Sequence, residues 1–342
     1  MLCSLKPKKL IGLKALISLN TQTMSDISTL SYIVPTLEFS TLRISTITTT
    51  AQIGTKILRD ALFEQIPIMQ YWDLNDGILK MEHGGSAKGT CFKDIMQKKK
   101  DAKKGFYNQT TLVIRREVSP LIWKEINVKL FKNGGIQMTG VRSLEMASGA
   151  LHWLISYLQT TCTVKPIFEG TPNIHKEEVQ MVNTDFSIGA KVRRDTLHRI
   201  LTDTYHLNSS YESAIYQGVK TKYFFNAQRP EGKPPGLCPC ERLCKGTADG
   251  SKIGQCKKIT ISPFQTGQVI ITGARTMEQI NEAYEFIKRV FTDHAEDILR
   301  KQYILPTPAS SKVEVKPKKS VRQSSGWIAH PCPRNIIQTA SN

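Results

Sequence analysis

The chain contains one sequence pattern twice. Residues 131–145 read F-K-N-G-G-I-Q-M-T-G-V-R-S-L-E, and residues 264–278 read F-Q-T-G-Q-V-I-I-T-G-A-R-T-M-E. Each copy reads as the end of a strand, a tight glycine turn, a short β-branched strand and a helix start with a Ser or Thr cap. Identical residues occur without a gap at Phe131/Phe264, Gly134/Gly267, Thr139/Thr272, Gly140/Gly273, Arg142/Arg275 and Glu145/Glu278. A long unit repeated once predicts two halves related by a pseudo-two-fold axis, not a solenoid.

The segments that flank the two copies follow one order: strand, helix, strands, helix. In the first half we predict strands at 42–47 and from Gly77, and helices at 55–66 and 143–159. In the second half we predict strands at 179–184 and from Gly218, and helices at 193–201 and 276–302. Segments rich in Gly, Ser, Pro and Lys interrupt each half at the same place, at 82–109 and 227–256.

This order predicts an α+β fold with two pseudo-symmetric repeats that share one antiparallel sheet. Helices would cover one face of the sheet and leave the other face bare, which is typical of a binding surface. The predicted division is a flexible arm at 1–38, the repeats at 39–160 and 161–303, and a disordered basic tail at 304–342.

Charge points to an anionic partner. The chain has 342 residues, 47 Lys and Arg against 29 Asp and Glu, and a formal charge of +18. Such a field attracts nucleic acid or another anionic surface, although lysine runs at 98–104 and 314–319 supply part of it. The apolar fraction of 40% suffices for a core, but the apolar runs are too interrupted for a membrane span.

Four of the eight cysteines lie within residues 238–256. This clustering is unlike a secreted disulfide framework and favours an intracellular, reducing compartment. Four thiolates are enough for a closed, structural zinc site, and a reduced Gly/Pro-rich loop is the alternative. The candidate ligands are Cys238, Cys240, Cys244 and Cys256. No other cofactor is expected.

The N-terminal 23 residues are basic and contain no acid. Lys14 interrupts their apolar run, so a secretory signal is not expected. A transit peptide and a dispensable extension before Met24 are both compatible with this segment, and we favour the second.

Enzymatic motifs are missing from the sequence. We find no P-loop, no G-x-S-x-G and no H-E-x-x-H pattern, and the seven histidines are dispersed. The sequence therefore predicts a binding protein and not an enzyme.

Four stretches resemble the TATA-box-binding protein family. They are S-S-Y-E-S-A-I-Y-Q-G (209–218), I-S-P-F-Q-T-G-Q-V-I-I-T-G-A-R (261–275), L-F-K-N-G-G-I-Q-M-T-G-V-R-S (130–143) and, more weakly, R-I-S-T-I (43–47). The insertions and tails look like those of the divergent homologues in giant DNA viruses. The resemblance implies a saddle-shaped curved sheet with helices on its convex face. It also implies a monomer that kinks AT-rich duplex DNA through the minor groove with apolar wedges, for which TATA-box-binding proteins are themselves the standard example.

The resemblance assigns wedge positions to Phe131, Phe264 and Tyr216. Aligning Gly77 with Gly218 places Asn75 opposite Tyr216, and an Asn cannot act as an apolar wedge. Leu74 or Trp72 would then substitute, or the first kink would be weaker.

The resemblance also assigns contacts to the bases and phosphates. Because side chains alternate along a strand, the expected groove-facing residues are Gln137, Thr139, Ile270, Thr272, Ile44 and Val182. The two central Asn positions of the family fall at Leu42 and Gln180, and only Gln can replace Asn as a donor to minor-groove acceptors. Expected phosphate contacts are Arg142, Arg275, Arg193 and Lys222.

Residues 211–215 resemble the loop by which the family docks a B-type initiation factor. Glu212 and Ile215 are the expected contacts, while Ala214 stands where the family has a second acid. The resemblance therefore implies a transcription initiation factor that recruits a B-type factor and RNA polymerase, in a virus factory or virion, or otherwise in the nucleus. The alternative is a non-specific nucleic-acid-packaging protein that keeps the fold but does not bend DNA.

Overall fold

The structure, a computed structural model, describes residues 32–96 and 108–303. The first half contributes β2 (Arg43–Gln52), β3 (Gly77–His83), β4 (Ser86–Gly89), β5 (Gln109–Ser119), β6 (Ile122–Phe131) and β7 (Gly135–Val141). The second half contributes β8 (His175–Ser187), β9 (Asn208–Glu212), β10 (Tyr216–Phe225), β11 (Lys257–Pro263) and β12 (Gln268–Ala274).

These strands form one antiparallel sheet of eleven strands in the order β4-β3-β5-β6-β7-β2-β8-β12-β11-β10-β9. The halves meet where β2 pairs with β8. Outward from this junction the order in the first half is β7, β6, β5, β3, and in the second half β12, β11, β10, β9. The edge strand β4 has no counterpart among the described residues.

The helices of the first half are α1 (Arg59–Gln65), α2 (Phe92–Met96) and α3 (Leu144–Thr161). Those of the second half are α4 (Arg194–Arg199), continued by a π-helical turn (Ile200–Thr204), α5 (Met277–Asp293) and α6 (Ala295–Ile298). Within the described residues no helix combines the length and the apolar character that crossing a bilayer requires.

The two copies of the repeated motif make the same hairpin turn. The Gly134 N–H donates to the Phe131 carbonyl at 3.0 Å, and the Gly267 N–H donates to the Phe264 carbonyl at 3.0 Å. Both glycines have positive φ, +82° and +88°. A Cβ would lie 2.1 Å from the Thr55 carbonyl oxygen in one copy and 2.2 Å from that of Ala190 in the other. Only glycine fits there, which explains why both copies keep it.

The long helices begin at the caps that the sequence predicts. The Ser143 Oγ accepts from the Met146 N–H at 3.1 Å, and the Thr276 Oγ1 accepts from the Gln279 N–H at 3.3 Å. Each cap satisfies a donor that the helix start leaves free and contributes about 1 kcal/mol.

The core lies between the sheet and the helices α3 and α5. Alternate residues of the hairpin strands are buried on this side: Ile136, Met138 and Val141 in β7, and Val269, Ile271 and Ala274 in β12. The residues between them face the other side, which α3 and α5 do not cover; we call this side the open face. The expected α+β fold with one shared sheet is confirmed.

The two insertions do not occupy equivalent places, contrary to expectation. In the first half the insertion joins β3 to β5 and contains β4 and α2, whereas in the second half it joins β10 to β11. The strand beside β6 is β5, not β3, so β5 is the counterpart of β10. Which strands pair depends on residues that are far apart in the sequence. The similar strand starts at Gly77 and Gly218 therefore did not show which strand is the counterpart of β10.

Most of the predicted arm and all of the predicted tail lie outside the described residues. The described part of the arm is held in place. Tyr32 and Ile33 form β1, which pairs with β13 (Gln302–Tyr303), and the Glu38 N–H donates to the Ile188 carbonyl at 3.0 Å.

Candidate nucleic-acid interface and thiolate cluster

A cluster of three lysines lies on the open face of the second half. Lys222 pairs across the sheet with Thr260, whose Oγ1 accepts from the Lys222 Nζ at 2.9 Å, and Lys220 and Lys258 lie on the same side. Partial burial, then the charges of Lys258 and Lys220, lower the pKa of Lys222. Like charges held together in this way are stabilised by an anion that contacts all three.

Two aromatic rings meet beside this lysine cluster. Tyr216 and Phe264 pack edge to face with their ring centroids 5.6 Å apart, and the Lys220 Nζ lies 4.3 Å from the Tyr216 ring. Gly218 leaves room for both rings, since a Cβ there would lie 2.8 Å from Tyr216 Cε1 and 3.1 Å from Phe264 Cζ. The structure therefore brings together the two residues predicted as wedges of the second half.

Asn75 does not stand opposite Tyr216, as the alignment of Gly77 with Gly218 predicted. In β5 it is Gln109 that pairs with Phe131, while Gly77 pairs with Arg115. Six residues of strand, roughly 20 Å at ~3.3 Å per residue, separate Gln109 from Arg115. Asn75, Leu74 and Trp72 thus lie at the far end of the strands from Phe131. Tyr107 precedes Gln109 by two positions, as Tyr216 precedes Gly218, but it is outside the described residues.

Ile44 and Val182 do not face the open side, contrary to prediction. Val182 is 5% exposed and pairs with Ile47 and Ala274, which face the helices. Ile44 pairs with Thr184, which is fully buried on the same side. A slip of one residue exchanges the faces of a strand, and bulges interrupt the alternation in this pairing.

Other residues occupy the centre of the open face. Thr48 pairs with Thr139 on one side and with Met181 on the other, and Thr50 pairs with Gln137. Thr48, Thr50 and Met181 were not predicted from the sequence. Their face of the sheet follows only from their pairing with strands whose open and buried faces are known. On the hairpin strands the predicted Gln137, Thr139, Ile270 and Thr272 do lie on the open face.

The two residues assigned to the family's central Asn positions are engaged within the protein. The Gln180 amide donates to the Thr50 Oγ1 at 2.8 Å and to the Glu178 carboxylate at 3.1 Å. Leu42 packs, partly buried, against the core. Asp185 of β8 lies at the junction of the two halves, and its negative charge is neutralised by an ion pair with Arg43 at 2.8 Å.

The open face of the first half is partly covered by its own insertion. The Phe92 N–H at the start of α2 donates to the Glu125 carboxylate at 3.1 Å, and the Lys80 Nζ lies 2.7 Å from the Asp94 carboxylate. A groove runs between the insertion and the sheet and is lined by Lys80, Cys91, Asp94, Glu125, Asn127, Thr139 and Gly140. The two halves therefore present different surfaces on the same side of the sheet.

The three predicted phosphate-binding arginines do not join the lysine cluster. Burial and then the charge of Arg142 lower the pKa of Lys124, and burial and then the charge of Arg275 lower the pKa of Lys257. Lys257 precedes Lys258 in β11 and is turned to the helix-covered side. Arg193 caps α4, and its guanidinium donates to the Asp297 carbonyl at 3.2 Å.

The predicted docking loop is exposed at one edge of the sheet. Glu212 and Ile215 bracket a turn in which the Ile215 N–H donates to the Glu212 carbonyl at 3.1 Å. Ile215 is 76% exposed, and Tyr216 follows it. Both side chains of the predicted contact are therefore accessible from solvent.

The four predicted thiolate ligands lie together in the insertion of the second half. The sulfur atoms of Cys238, Cys240, Cys244 and Cys256 all lie within 4.8 Å of one another. Cys256 is buried next to the start of β11, and the other three are half-buried.

The fold and this face define a class: an α+β protein whose duplicated antiparallel sheet exposes one basic, aromatic-edged face. No protein-family model matches the chain. A TATA-box-binding protein-like protein of Acanthamoeba polyphaga mimivirus is 31% identical over 268 residues, which are 75% of this chain and 66% of that relative. The chain belongs to the TATA-box-binding protein family. A solved structure of Methanococcus jannaschii TBP is similar at 15% identity and a TM-score of 0.40, covering 75% of this chain and 99% of that one, and the assignment does not rest on it.

Proposed function

We propose that this protein is a transcription initiation factor that binds and bends AT-rich duplex DNA through the minor groove. The observation that carries the proposal is the contact of Tyr216 with Phe264 beside Lys220. Inserting apolar rings between base steps kinks a duplex, and nearby lysines bind the flanking phosphates. The role is non-catalytic.

The second half supplies most of the contact. Its open face carries Lys220, Lys222 and Lys258, and α3 and α5 lie on the other side of the sheet. The first half carries Lys80 and Lys129 on this side, but Asp94 and Glu82 already pair with Lys80, and the insertion lies over part of the sheet. Binding is therefore asymmetric, with a weaker contribution from Phe131 than from Phe264.

The proposed partners follow from the exposed loop. Glu212 and Ile215 dock a B-type initiation factor, which in turn brings RNA polymerase to the promoter. The protein works in a reducing compartment: a virus factory or virion, or else the nucleus.

The experiment is a bending assay. A duplex of roughly one to two helical turns carries a dye at each end, with an AT-rich or a GC-rich centre, and energy transfer is measured at several salt concentrations. We expect the AT-rich duplex to bind more tightly and its ends to approach.

The second candidate function is non-specific packaging of nucleic acid. The cover over the first half favours it, because a duplex in contact with one half only does not need to bend. Equal affinity for both duplexes with no change in energy transfer would support packaging and reject the initiation factor.

A further inference from the structure

We infer that the insertion between β10 and β11 binds one zinc ion through Cys238, Cys240, Cys244 and Cys256, and that this ion fixes the outer strands of the second half. The inference concerns a metal site that DNA binding by the open face neither requires nor implies.

The distances between the sulfur atoms fit a tetrahedral site. Cys238 Sγ lies 3.3 Å from Cys244 Sγ and 3.8 Å from Cys256 Sγ, and Cys240 Sγ lies 3.9 Å from Cys244 Sγ and 3.5 Å from Cys256 Sγ. A regular tetrahedron with zinc–sulfur bonds of about 2.3 Å has sulfur–sulfur edges of about 3.8 Å. The four sulfurs thus surround a position that one zinc ion fills.

The same distances do not describe disulfides. A disulfide joins its sulfurs at about 2.05 Å, whereas each cysteine of the cluster has two neighbours at more than 3 Å. A set of four thiolates is the ligand set of structural zinc sites, and four protein ligands leave no open position for catalysis.

Hydrogen-bond donors point at two of the sulfurs. The Gly254 N–H lies 3.1 Å from Cys240 Sγ, and the Asn226 amide nitrogen lies 3.4 Å from Cys256 Sγ. Donors of this kind stabilise thiolates and orient them towards a metal. Asn226 also donates to the Lys252 carbonyl at 2.8 Å, so it connects the cluster to the end of β10.

The insertion contributes few residues to the core, so it needs another source of stability. Among its residues the buried apolar ones are Cys256 and, in part, Leu237. Its chain is held mainly by polar contacts, in which the Arg229 guanidinium donates to the carbonyls of Pro234 and Leu237 at 2.9 and 2.7 Å. Small units of this kind are commonly stabilised by a structural metal.

The position of Cys256 connects the metal to the open face. Cys256 directly precedes β11, which carries Lys258 and Thr260 and ends at the turn that holds Phe264. A zinc ion bound to Cys256 would fix the start of this strand against the loop that follows β10. We therefore expect metal loss to loosen β10 and β11 and to leave the first half intact.

The test uses the full chain, purified under reducing conditions from cells grown with zinc. Mass spectrometry of the metals should find one zinc per chain, and Cys244→Ser should lower this to none. Cys91→Ser is the matched control, because Cys91 is a buried cysteine outside the cluster whose thiol donates to the Asp94 carboxylate at 3.0 Å, as a Ser hydroxyl also does. It should keep the full equivalent of zinc.

A second measurement does not depend on the folding of a variant. Co²⁺ added to metal-depleted parent chain should give the visible absorption of tetrahedral thiolate coordination, and zinc should abolish it stoichiometrically. Hydrogen exchange after chelation should rise in β10 and β11 and stay constant in β6 and β7. No bound metal in reduced parent, no Co²⁺ spectrum, iron in place of zinc, or a mass that reports two disulfides would each overturn the inference.

Discussion

Tyr216 and Phe264 touch edge to face at the turn end of their strands, with ring centroids 5.6 Å apart. They are 48 positions apart in the sequence, and β10 and β11 bring them together around the small Gly218. A pair of rings held at one end of an open sheet can enter a base step as one unit, whereas a single ring has less surface with which to unstack it.

Phe264→Ala should reduce DNA bending more than Phe131→Ala does. Phe264 is backed by Tyr216 and lies beside the uncovered lysines, whereas in the first half the insertion covers part of the open face, at Glu125 and Asn127. The loss should amount to a few kcal/mol of binding free energy if a step is unstacked. Energy transfer across a labelled AT-rich duplex measures it. Trp72→Ala is the control: Trp72 is 74% exposed but lies at the far end of the strands from Phe131, so bending should not change.

Gly218→Ala should weaken bending while the protein stays folded. The added Cβ would meet Tyr216 Cε1 at 2.8 Å and Phe264 Cζ at 3.1 Å, and both are the outer atoms of side chains that can turn away. Gly149→Ala is the matched control, since no atom lies within 4 Å of its Cβ and it is in helix α3. It should raise the free energy of unfolding by about 0.5–1 kcal/mol and leave bending unchanged. If Gly218→Ala bends DNA as the parent does, the packing of Tyr216 against Phe264 is not required for bending.

Lys220→Gln and Lys258→Gln should each reduce the salt dependence of DNA binding. Each lysine that contacts a phosphate releases about 0.9 counterion, so the slope of log K against log salt should become shallower by about that amount per variant. Fluorescence anisotropy at four salt concentrations measures the slope. Lys288→Gln removes the same charge from helix α5, where Lys288 pairs with Glu285 at 3.3 Å, and should leave the slope unchanged. If all three variants keep the slope of the parent, the DNA does not contact Lys220 or Lys258.

The turns and caps of the repeated motif could be predicted because they are local. A glycine with positive φ at Gly134 and a cap at Ser143 depend on neighbours within a few residues. The faces of the central strands could not be predicted in the same way. Bulges between Ile44 and Thr46 and after Thr48 shift the pairing with β8, so counting by twos from a family motif assigned Ile44 and Val182 to the wrong side.

The identity of the strand that pairs with β6 also could not be predicted from the sequence. Both β3 and β5 read as strands of suitable length, and only their hydrogen bonds decide which one pairs with β6. This error placed Asn75 at a wedge position, although Gly77 pairs with Arg115 at the far end of the strand. That the four cysteines of the thiolate cluster lie close together could be predicted, because they occur within one short segment and their spacing limits how far apart they can be.

Asp94→Asn should strengthen DNA binding if the insertion hinders the first half. Burial acts to raise the pKa of Asp94, but hydrogen bonds from Lys80 and from the Cys91 thiol and N–H outweigh it, and the pKa lies below its ordinary 3.8. Neutralising this acid removes one of the two carboxylates that pair with Lys80, the other being that of Glu82 at 2.7 Å, and it weakens the cover. One unit charge at a solvated surface is worth about 1 kcal/mol, or about fivefold in affinity. Glu285→Gln on helix α5 is the control with the same change in charge.

The lowered pKa of Asp94 also gives a pH dependence. A carboxylate with a lowered pKa stabilises its contacts above the ordinary value of 3.8 and loses that contribution as the pH falls through the lower value of the folded state. The hydrogen-exchange protection of α2, relative to the intrinsic exchange rate at each pH, should therefore fall below about pH 4 in the parent and be low already at neutral pH in Asp94→Asn. Protection of α2 that is the same in both proteins would show that Asp94 does not hold it.

The exposed turn between β9 and β10 should dock a B-type initiation factor through Ile215 at least as much as through Glu212. An ion pair at the rim of an interface contributes roughly 0–1 kcal/mol, while an exposed apolar side chain that enters a pocket contributes more. Glu212→Arg and Ile215→Ala should both weaken recruitment of the cognate factor to the preformed DNA complex, measured by a mobility shift. Recruitment is compared with all of the DNA already bound by each variant, because Glu212 pairs across the strands with Tyr216 and Ile215 precedes it, so DNA affinity is measured separately. Leu243→Ala is the control, since Leu243 is as exposed, at 78%, but lies in the cysteine-rich insertion. If both loop variants recruit the factor as well as the parent and Leu243→Ala do, the factor docks on another surface.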